Sequence, residues 1–351
     1  MLLNNKNFEF LLNRDIINFN IKIQNKFTEI YKNKTILVTG GAGSIGSNLV
    51  LNLLKLQPKN ILIVDNSEIS LVNFKKKIQS KKCLFYLSDV SRIYILEQLF
   101  KKFKIDFLFH TAAYKHVDIL EDNVTTGIIN NINSTFHICE ICKKYNVTLV
   151  NVSTDKAVKP ISVLGYTKKI SELIVISFVK KFKNLKFYNV RFGNVFNSGG
   201  SAIEQFIKQI RLNKKITLTD QRMKRFFMTN DEASYLIMSP PLIGGTDSTF
   251  IYDMGEQVKI YDLIKKIFLK SKKKFTKNNL ILIGRRKGEK LNEVLSDNKN
   301  LKKTNLKRVL IIDEKKIHFN KVFYSKIVKL IFNKSICSIN KEFLKTFLRN
   351  I

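Results

Sequence analysis

Two side chains that can carry protons stand next to each other at Asp155 and Lys156, directly after the apolar run 148–152. Together they can exchange protons with a substrate if the amine spends part of its time uncharged. We expect desolvation, or the nearby cation of Lys168, to lower the pKa of Lys156 to that end. An exposed turn is the alternative. The position after a buried strand disfavours it, because open α/β sheets bind ligands at the carboxyl ends of their strands.

A glycine-rich turn, TGGAGSIG at residues 39–46, ends the first apolar run and opens an apolar helix. Glycines permit a tight turn and close approach to a pyrophosphate, which the N–H groups at the start of the helix can bind. Asp65 ends the next run, where a carboxylate accepts hydrogen bonds from ribose hydroxyls and repels a 2′-phosphate. Together these features predict NAD rather than NADP, and disfavour a Rossmann-like sheet without a dinucleotide. The expected contacts are Gly40, Gly43, Ser44, Ile45, Gly46, Asp65 and, toward the adenine, Asp89.

Short apolar runs alternate with helical segments from residue 34 onward, which predicts an α/β fold with a Rossmann-like, doubly wound parallel sheet. The runs are 35–39, 61–64, 84–87, 107–109, 148–152, 187–191 and 249–252. Later segments break this rhythm and predict a smaller C-terminal substrate domain. The predicted parts are a leader or linker helix at 1–33, an NAD-binding domain at 34–195 and 226–254, and a substrate-binding domain at 196–225 and 255–351.

The formal net charge is +34, which raises the question of nucleic-acid binding. We predict no nucleic-acid partner, because the lysines are spread over every segment and greatly outnumber the arginines that base readout favours. Attraction to an anionic membrane surface is left open as a peripheral association. Apolar stretches are too short for a membrane span, and the start lacks the features of a secretory signal. A cytoplasmic location is therefore expected.

Four cysteines are too few for a disulfide framework in a chain of 351 residues. Cys139 and Cys142 form a CxxC pair, but no second pair follows at zinc spacing. His110 and His116 are more consistent with packing or loop positions than with metal ligands. The sequence therefore predicts no metal site.

Five short motifs occur in a fixed order along the chain: HTAAYKHV at 110–117, STDKAVKP at 153–160, RFGNV at 191–195, RFFM at 225–228 and GEK at 288–290. Together they resemble the CapD-type proteins, a nucleotide-sugar dehydratase/epimerase family of polysaccharide biosynthesis within the extended short-chain dehydrogenase/reductases. The resemblance covers roughly residues 8–297, and the STDK block is its most specific part. Segment 11–34 resembles the linker that joins a membrane-spanning half to the catalytic half in long members.

The resemblance implies NAD-dependent 4,6-dehydration of a UDP-N-acetylhexosamine, with UDP-N-acetylglucosamine as the leading candidate. It implies that Asp155 handles a proton of the C4 or C6 hydroxyl, that Lys156 handles the C5 proton and that Thr154 contacts O4. Lys168 would bind the nicotinamide ribose, and Ala112 would contact the cofactor. A homo-oligomer is expected. The implied substrate contacts are Lys115, Asn194, Arg225, Arg286 and Glu289, with a surface salt bridge as the alternative for each arginine and for Glu289.

One position departs from the usual short-chain dehydrogenase pattern. The Tyr-x-x-x-Lys motif has Leu164 in place of tyrosine, while Tyr166 is two residues from Lys168 and should face another side of the helix. This counts against a 4-epimerase, although an epimerase or a dehydratase/5-epimerase stays the first alternative. An NAD-binding protein without turnover is the second, to which Ser134, at a position usually held by Gly, adds weight. The third is a basic protein that binds nucleic acid or a membrane surface.

Overall fold

A nine-stranded sheet forms the centre of the molecule. The computed structural model describes residues 5–196, 199, 201–245, 248–297, 301–313, 321–331 and 339–349. The strands are β1 (Thr35–Thr39), β2 (Asn60–Asp65), β3 (Cys83–Leu87), β4 (Phe107–His110), β5 (Thr148–Thr154), β6 (Phe187–Phe192), β7 (Asn194–Val195), β8 (Ile216–Leu218), β9 (Lys224–Arg225), β10 (Phe227–Met228), β11 (Ser248–Tyr252), β12 (Val258–Lys259), β13 (Leu280–Leu282), β14 (Leu301–Lys303) and β15 (Val309–Asp313). The order in the central sheet is β14-β15-β11-β6-β5-β4-β1-β2-β3.

Seven adjacent strands, from β3 to β11 in this order, run parallel. Parallel strands are covered on both faces, so they are buried and mostly apolar. All five residues of β1 and all six of β6 are buried. The arrangement is the Rossmann strand order with one strand added. Each predicted apolar run lies within one of these seven strands, and the predicted doubly wound α/β fold is confirmed.

Helices cover both faces of the sheet. They are α1 (Asn5–Leu12), α2 (Ile21–Tyr31), α3 (Ser44–Leu54), α4 (Glu68–Lys77), α5 (Ile93–Lys102), α6 (Val117–Asp122), α7 (Val124–Gly127), α8 (Ser134–Tyr145), α9 (Val163–Lys181), α10 (Ala202–Arg211), α11 (Asn230–Met238), α12 (Pro240–Ile243), α13 (Ile260–Lys270), α14 (Lys321–Ile331) and α15 (Lys341–Arg349). Successive strand side chains point to opposite faces. Leu37 accordingly packs in a core with α8 and α9, while Ile36 and Val38 pack in a core with α3 and α11.

A third core lies outside the sheet and joins α10, α13 and β8 to α1. Its buried side chains include Leu11, Phe206, Ile216 and Leu263. Two small strand pairs accompany it, with β8 parallel to β13 and β9 antiparallel to β12. None of the described helices has the length and hydropathy that a membrane span requires.

The C-terminal part departs from the domain boundaries predicted from the sequence. Residues 255–351 were assigned to the substrate-binding domain, yet β15 pairs antiparallel with β11 and β14 with β15, so both strands extend the central sheet. Helices α14 and α15 pack on α9, where Leu330 and Leu344 are buried. The assignment is wrong for these elements, because β15 hydrogen-bonds to the open edge of β11 and the two helices cover an apolar face.

The N-terminal segment also differs from the predicted single leader helix at 1–33. It contains two helices, and both contribute to cores: Leu11 and Leu12 to the third core, Phe27 and Tyr31 to the core beside α3. Between the two helices, Arg14 forms a buried ion pair with Glu232 of α11, with 2.6 Å between Nη1 and Oε1. The segment is therefore an integral part of the fold, held by apolar burial and by one charged anchor.

Candidate active site

The glycine turn between β1 and α3 has no room for side chains. Gly40 has a φ of +64°, in the left-handed region, and a Cβ on it would lie 2.7 Å from the Cα of Ala112. A Cβ on Gly46 would overlap the carbonyl oxygen of Gly40. Only glycine fits both positions, so the turn leaves its backbone open to a ligand and holds α3 close to β1.

The start of α3 is free to bind an anion. Gly43 occupies the N-cap position and supplies no side chain to cap the helix, so within the described part of the chain no side chain caps the first N–H groups, those of Ser44 and Ile45 among them. The Ser44 hydroxyl accepts a hydrogen bond from the Gly199 N–H at 2.8 Å. These features fit the pyrophosphate of a dinucleotide.

Asp65 and Asp89 lie at the ends of neighbouring strands β2 and β3. The Asp65 carboxylate is buried and accepts hydrogen bonds from the N–H groups of Ala42 at 3.1 Å and Ser67 at 3.0 Å. An ionised carboxylate has further acceptor capacity, which ribose hydroxyls can use. Asp89 is half-buried and accepts from the Ser91 N–H at 2.9 Å. Both positions fit the ribose and adenine side of the site.

Asp155 and Lys156 form a short 3-10 turn, Asp155–Ala157, immediately after β5. The Lys156 ammonium lies 3.0 Å from Asp155 Oδ1, and the Thr154 hydroxyl donates to the same oxygen at 2.9 Å. Asp155 is fully buried, and its Oδ2 has no hydrogen-bond partner among the described residues. A buried carboxylate oxygen without a hydrogen-bond partner is costly for stability. It therefore marks this turn as a candidate binding site.

The pKa values at this turn contradict one expectation from the sequence. Burial disfavours the Lys156 ammonium, but the carboxylates of Asp155 and Glu293 outweigh burial and raise the pKa of Lys156. Arg225 is the cation that acts against this rise. Burial lowers the pKa of Lys168 itself to about 8, against the opposing effect of Glu172. Lys156 is therefore charged in the free protein, and Lys168 is the amine closer to neutrality.

Helix α9 places Leu164 and Lys168, one turn apart, on the same side and Tyr166 on another. Ser162 caps the helix and accepts from the Gly165 N–H at 3.1 Å. Leu164 is buried, whereas Tyr166 lines a cavity between α9 and α15. Burial and Glu342 of α15 raise the pKa of Tyr166. The charge of Lys168 instead contributes to the lowered pKa of His110 on β4. Tyr166 thus faces away from Lys168, in agreement with its predicted placement.

Asn131 and His110 hold the neighbouring elements together. Asn131 lies in a π-helical turn, Ile128–Asn133, and its side chain bonds to both backbone groups of Tyr114 and to the Thr167 hydroxyl. Burial, followed by Lys168, lowers the pKa of His110 to about 3, so its ring is neutral. No three His, Cys, Asp or Glu side chains of the described chain are placed to hold a metal ion.

The predicted substrate contacts separate into two groups. Arg225 lies near the Asp155–Ala157 turn, because Glu293 is 3.8 Å from Arg225 and 3.9 Å from Lys156. Its guanidinium donates to the carbonyls of Lys290 at 2.7 Å and Leu291 at 2.9 Å, and Glu289 lies 3.8 Å from it. Asn194 follows β6 and its amide nitrogen is 3.4 Å from a backbone carbonyl.

Lys115 and Arg286 lie further out. The Lys115 ammonium donates to the Gly199 carbonyl at 2.9 Å, close to the start of α3. Arg286 forms an exposed pair with Asp118, with 2.8 Å between its Nη1 and Oδ2. This contact agrees with the surface salt bridge that the sequence left as the alternative for Arg286.

Sequence reasoning missed two features of the site. Glu293 is 2 % exposed and its Oε1 lies 3.9 Å from the Lys156 ammonium. Arg191 pairs with the buried Glu172 at 2.7 Å and donates to the Leu295 carbonyl at 3.0 Å, which fixes the segment that carries Glu293. A second glutamate four residues after Glu289 was the available signal, but no strand or helix pattern linked it to the turn.

Comparison with known proteins settles the family. A family described as polysaccharide biosynthesis protein matches residues 36–314. The chain belongs to this family. The predicted CapD-type resemblance is confirmed: the capsular polysaccharide biosynthesis protein CapD of Staphylococcus aureus is 36% identical over 298 residues, which cover 83% of this chain. The match spans 49% of CapD, about half of that protein's length.

Other relatives are enzymes of nucleotide sugars. UDP-N-acetylglucosamine 4,6-dehydratase (inverting) of Campylobacter jejuni is 30% identical over 281 residues, 78% of this chain and 80% of that protein. UDP-glucose 4-epimerase of Rickettsia bellii is 31% identical over 289 residues, 78% and 81% of the two chains.

Solved structures show the same fold. Pen from Bacillus thuringiensis superposes with a TM-score of 0.72 at 29% identity, over 80% of this chain and 90% of Pen. DesIV, a dTDP-glucose 4,6-dehydratase from Streptomyces venezuelae with NAD and TYD bound, superposes with a TM-score of 0.67 at 20% identity, over 75% and 88% of the two chains. These superpositions show that the chain shares a Rossmann-like fold with both structures.

Proposed function

We propose that the chain catalyses the NAD-dependent 4,6-dehydration of a UDP-N-acetylhexosamine, with UDP-N-acetylglucosamine as the first candidate. The product is a 4-keto-6-deoxy sugar nucleotide for a surface polysaccharide or glycan. One observation carries the proposal: the buried Asp155 carboxylate and the Lys156 ammonium, 3.0 Å apart, stand at the end of β5 with one carboxylate oxygen unpartnered in the described chain. The relation to the Campylobacter jejuni dehydratase supports it.

The residues around the glycine turn fit NAD. Gly40, Gly43 and Gly46 leave the backbone accessible, and the uncapped start of α3 matches the pyrophosphate. Asp65 would accept the adenosine ribose hydroxyls, and Lys168 would bind the nicotinamide ribose. When bound, NAD supplies a hydride acceptor for C4 and a hydride donor for C6 of the sugar.

Asp155 handles the hydroxyl protons in this proposal. Its unpartnered Oδ2 takes the proton of the C4 hydroxyl as the C4–H bond breaks, which leaves a C4 ketone. The same carboxyl group then gives its proton to the C6 hydroxyl, which leaves as water. Thr154 already donates to Asp155 Oδ1, so it orients the carboxylate and keeps Oδ2 available.

Lys156 handles the carbon-bound proton. The C4 ketone acidifies C5–H, and the Lys156 amine removes that proton and later returns a proton to C5. Lys156 is charged in the free protein, so it must lose its own proton before it can act as this base. The proposal therefore needs a change of charge around Lys156 when the substrate arrives. Protonation of Asp155 by the C4 hydroxyl supplies one, because it removes the nearest negative charge. The Lys156 ammonium, whose side chain is partly exposed, then releases its proton to solvent water.

Leu164 separates this proposal from simple 4-epimerisation. In short-chain dehydrogenases the tyrosine at this position takes the C4 hydroxyl proton, and Leu164 cannot do so. Tyr166 lines the cavity between α9 and α15 and does not replace it. With no tyrosine at position 164, Asp155 and Lys156 are the proton carriers that we assign at the end of β5. This assignment supports dehydration.

The test is incubation of the chain with NAD and UDP-N-acetylglucosamine in deuterated water, followed by NMR of the product. We expect a C6 methyl group, a C4 ketone and deuterium at C5. The Asp155→Asn variant should lose dehydration, and Lys156→Met should lose C5 exchange. A product with an intact C6 hydroxyl and inverted C4 would show an epimerase instead. Binding of NAD without turnover of any UDP-N-acetylhexosamine would show a protein that has lost catalysis.

We propose three further properties that concern the surroundings of the chain. They are a homo-oligomer, a cytoplasmic location and a peripheral association with anionic membrane. Analytical ultracentrifugation tests the first. Sedimentation with vesicles of neutral and of anionic lipid tests the third, where a cationic surface predicts binding that weakens as salt rises.

A further inference from the structure

We propose that Glu293 is a positioning residue for Lys156. Its carboxylate and that of Asp155 hold the Lys156 ammonium between them, at the end of β5. The role of Lys156 as the C5 base belongs to the proposed function, and this inference rests on it. The placement of Glu293 stands on geometry alone.

Two carboxylates and a guanidinium lie around the Lys156 ammonium. Asp155 Oδ1 lies 3.0 Å and Glu293 Oε1 3.9 Å from it. The Nε of Arg225, on β9, lies 3.8 Å from the same Glu293 oxygen. The buried Glu293 carboxylate therefore lies between two cations, and its charge favours the placement of both beside it.

The segment that carries Glu293 is held in place at several points. Arg225 donates to the carbonyls of Lys290 and Leu291, and Arg191 donates to that of Leu295. Lys290 donates to the Val158 carbonyl at 2.6 Å, which ties the segment to the catalytic turn itself. A carboxylate placed this firmly costs little entropy to bring to the ammonium. Its position is a property of the folded chain and does not depend on a ligand.

Glu293 also has a spare oxygen that points to ligand contact. Its Oε2 is buried and lacks a hydrogen-bond partner among the described residues, as does Asp155 Oδ2. Two unpartnered carboxylate oxygens within reach of one ammonium are unfavourable in a site with a purely structural role. They fit a pocket that binds polyhydroxylated sugars, whose hydroxyls can donate to both.

The electrostatics agree with this geometry. Asp155 and Glu293 raise the pKa of Lys156 against burial and against Arg225. Burial, with Asp155, raises the pKa of Glu293, whereas Lys156, Arg225 and Lys290 oppose that shift. Loss of the Glu293 charge should therefore make the Lys156 amine lose its proton at a lower pH.

Competitive labelling tests this without substrate or cofactor. The full chain is treated with trace acetic anhydride from pH 7 to 11, and acetylation of Lys156 is read by mass spectrometry. In Glu293→Gln we expect the pH of half-maximal labelling to fall by about one unit, which corresponds to roughly tenfold faster labelling at pH 8. Glu293→Asp keeps the charge and should restore most of the wild-type profile.

Glu289→Gln is the matched control. Glu289 lies at the same 3.8 Å from Arg225 as Glu293 does, but it has no contact with Lys156. Its variant should leave the Lys156 profile within a few tenths of a pH unit. Equal shifts in both glutamine variants, or none in Glu293→Gln, would overturn the inference. If Glu293→Gln does not fold, Glu293→Leu takes its place, because it also removes the charge and should lower the half-maximal pH by a similar amount.

The activity readout separates this inference from the proposed function. For UDP-N-acetylglucosamine, Glu293→Gln should reduce kcat more than tenfold with KM changed less than threefold, and shift the acid limb of the kcat profile to lower pH. A labelling shift without dehydration in the wild type would sink the proposed function and leave the inference intact. Dehydration by the wild type together with an unshifted labelling profile in Glu293→Gln would overturn this inference and leave the proposed function intact.

Discussion

Removal of the buried Lys168 amine is expected to stabilise the folded chain. Lys168 lies on α9 and is 4 % exposed, and burial lowers its pKa from 10.5 to about 8. Lys168→Met keeps the unbranched side chain that packs in the helix and removes the charge. The lysine is retained at a cost to stability, which fits a group that binds a ligand, since functional residues are often unfavourable for the fold.

The size of the effect follows from the pKa. Each pKa unit corresponds to about 1.4 kcal/mol, so a lowering from 10.5 to about 8 is worth roughly 3 kcal/mol. Below pH 8 the amine is charged in both the folded and the unfolded chain, and the folded chain bears the whole desolvation cost. Between pH 8 and 10.5 the folded chain releases the proton first, so the cost shrinks as pH rises and vanishes above pH 10.5.

Urea unfolding of the wild type and Lys168→Met at pH 7 and pH 10 measures this. We expect the variant to have a free energy of unfolding about 2–3 kcal/mol higher at pH 7, with most of the difference gone at pH 10. Lys169→Met is the control, because Lys169 is partly exposed and lies 3.7 Å from Glu172, a pair worth less than about 1 kcal/mol. A Lys168→Met chain that is no more stable at pH 7, or a gain independent of pH, would refute the reasoning.

Three further changes test other parts of the structure. Gly46→Ala should abolish the rise in Tm on addition of NAD, because its Cβ would overlap the Gly40 carbonyl oxygen; an unchanged rise would speak against the turn as the pyrophosphate site. Asp65→Ala should weaken NAD binding about tenfold or more and narrow the preference over NADP in fluorescence titrations. Equal affinities of wild type and variant would exclude Asp65 as the ribose contact. Arg14→Met should cost about 3–5 kcal/mol in urea unfolding, because Glu232 keeps a buried, unpaired charge. The double variant Arg14→Met/Glu232→Gln should recover most of the lost free energy of unfolding, because it also removes the Glu232 charge.

The parallel sheet could be predicted because its signal is local. A strand covered on both faces is a short, largely apolar run, and every residue of β1 and β6 is buried. The glycine turn and Asp155–Lys156 were located for the same reason. Each follows such a run directly, and the carboxyl ends of parallel strands meet at one edge of the sheet.

The remaining part of the site depends on contacts between distant segments. Glu293 lies 137 positions after Lys156 and reaches it through a segment held by Arg191 and Arg225. No periodicity marks that segment. The expectation for Lys156 was wrong for the same reason. Burial lowers the pKa of Lys156 as expected, but the adjacent Asp155, together with Glu293, which the sequence does not place nearby, outweighs burial and raises it. Lys168, in contrast, is desolvated by the surrounding core.

The C-terminal strands show how packing overrides order along the chain. β15 is an apolar run like the others, but it lies after the segments that build the third core. The sequence therefore favoured assignment to the smaller domain. β11 offered an open edge, and hydrogen bonding to it satisfies the backbone groups of both strands. The edge that a C-terminal strand joins depends on which strand of the assembled sheet still has unpaired backbone groups.

Strand β14 closes one end of that sheet in a way that protects the protein from aggregation. An edge strand offers unpaired backbone groups to other chains, and long, flat, apolar edges template intermolecular pairing. β14 has three residues, all of them exposed, and two are the lysines Lys302 and Lys303. A second molecule that approached this edge would meet a short strand and a matching pair of positive charges. Because β15 and β14 follow β11 in the sheet, the apolar β11 lies in the interior of the sheet. The exposed edge is formed by β14, which disfavours pairing with a strand of another molecule.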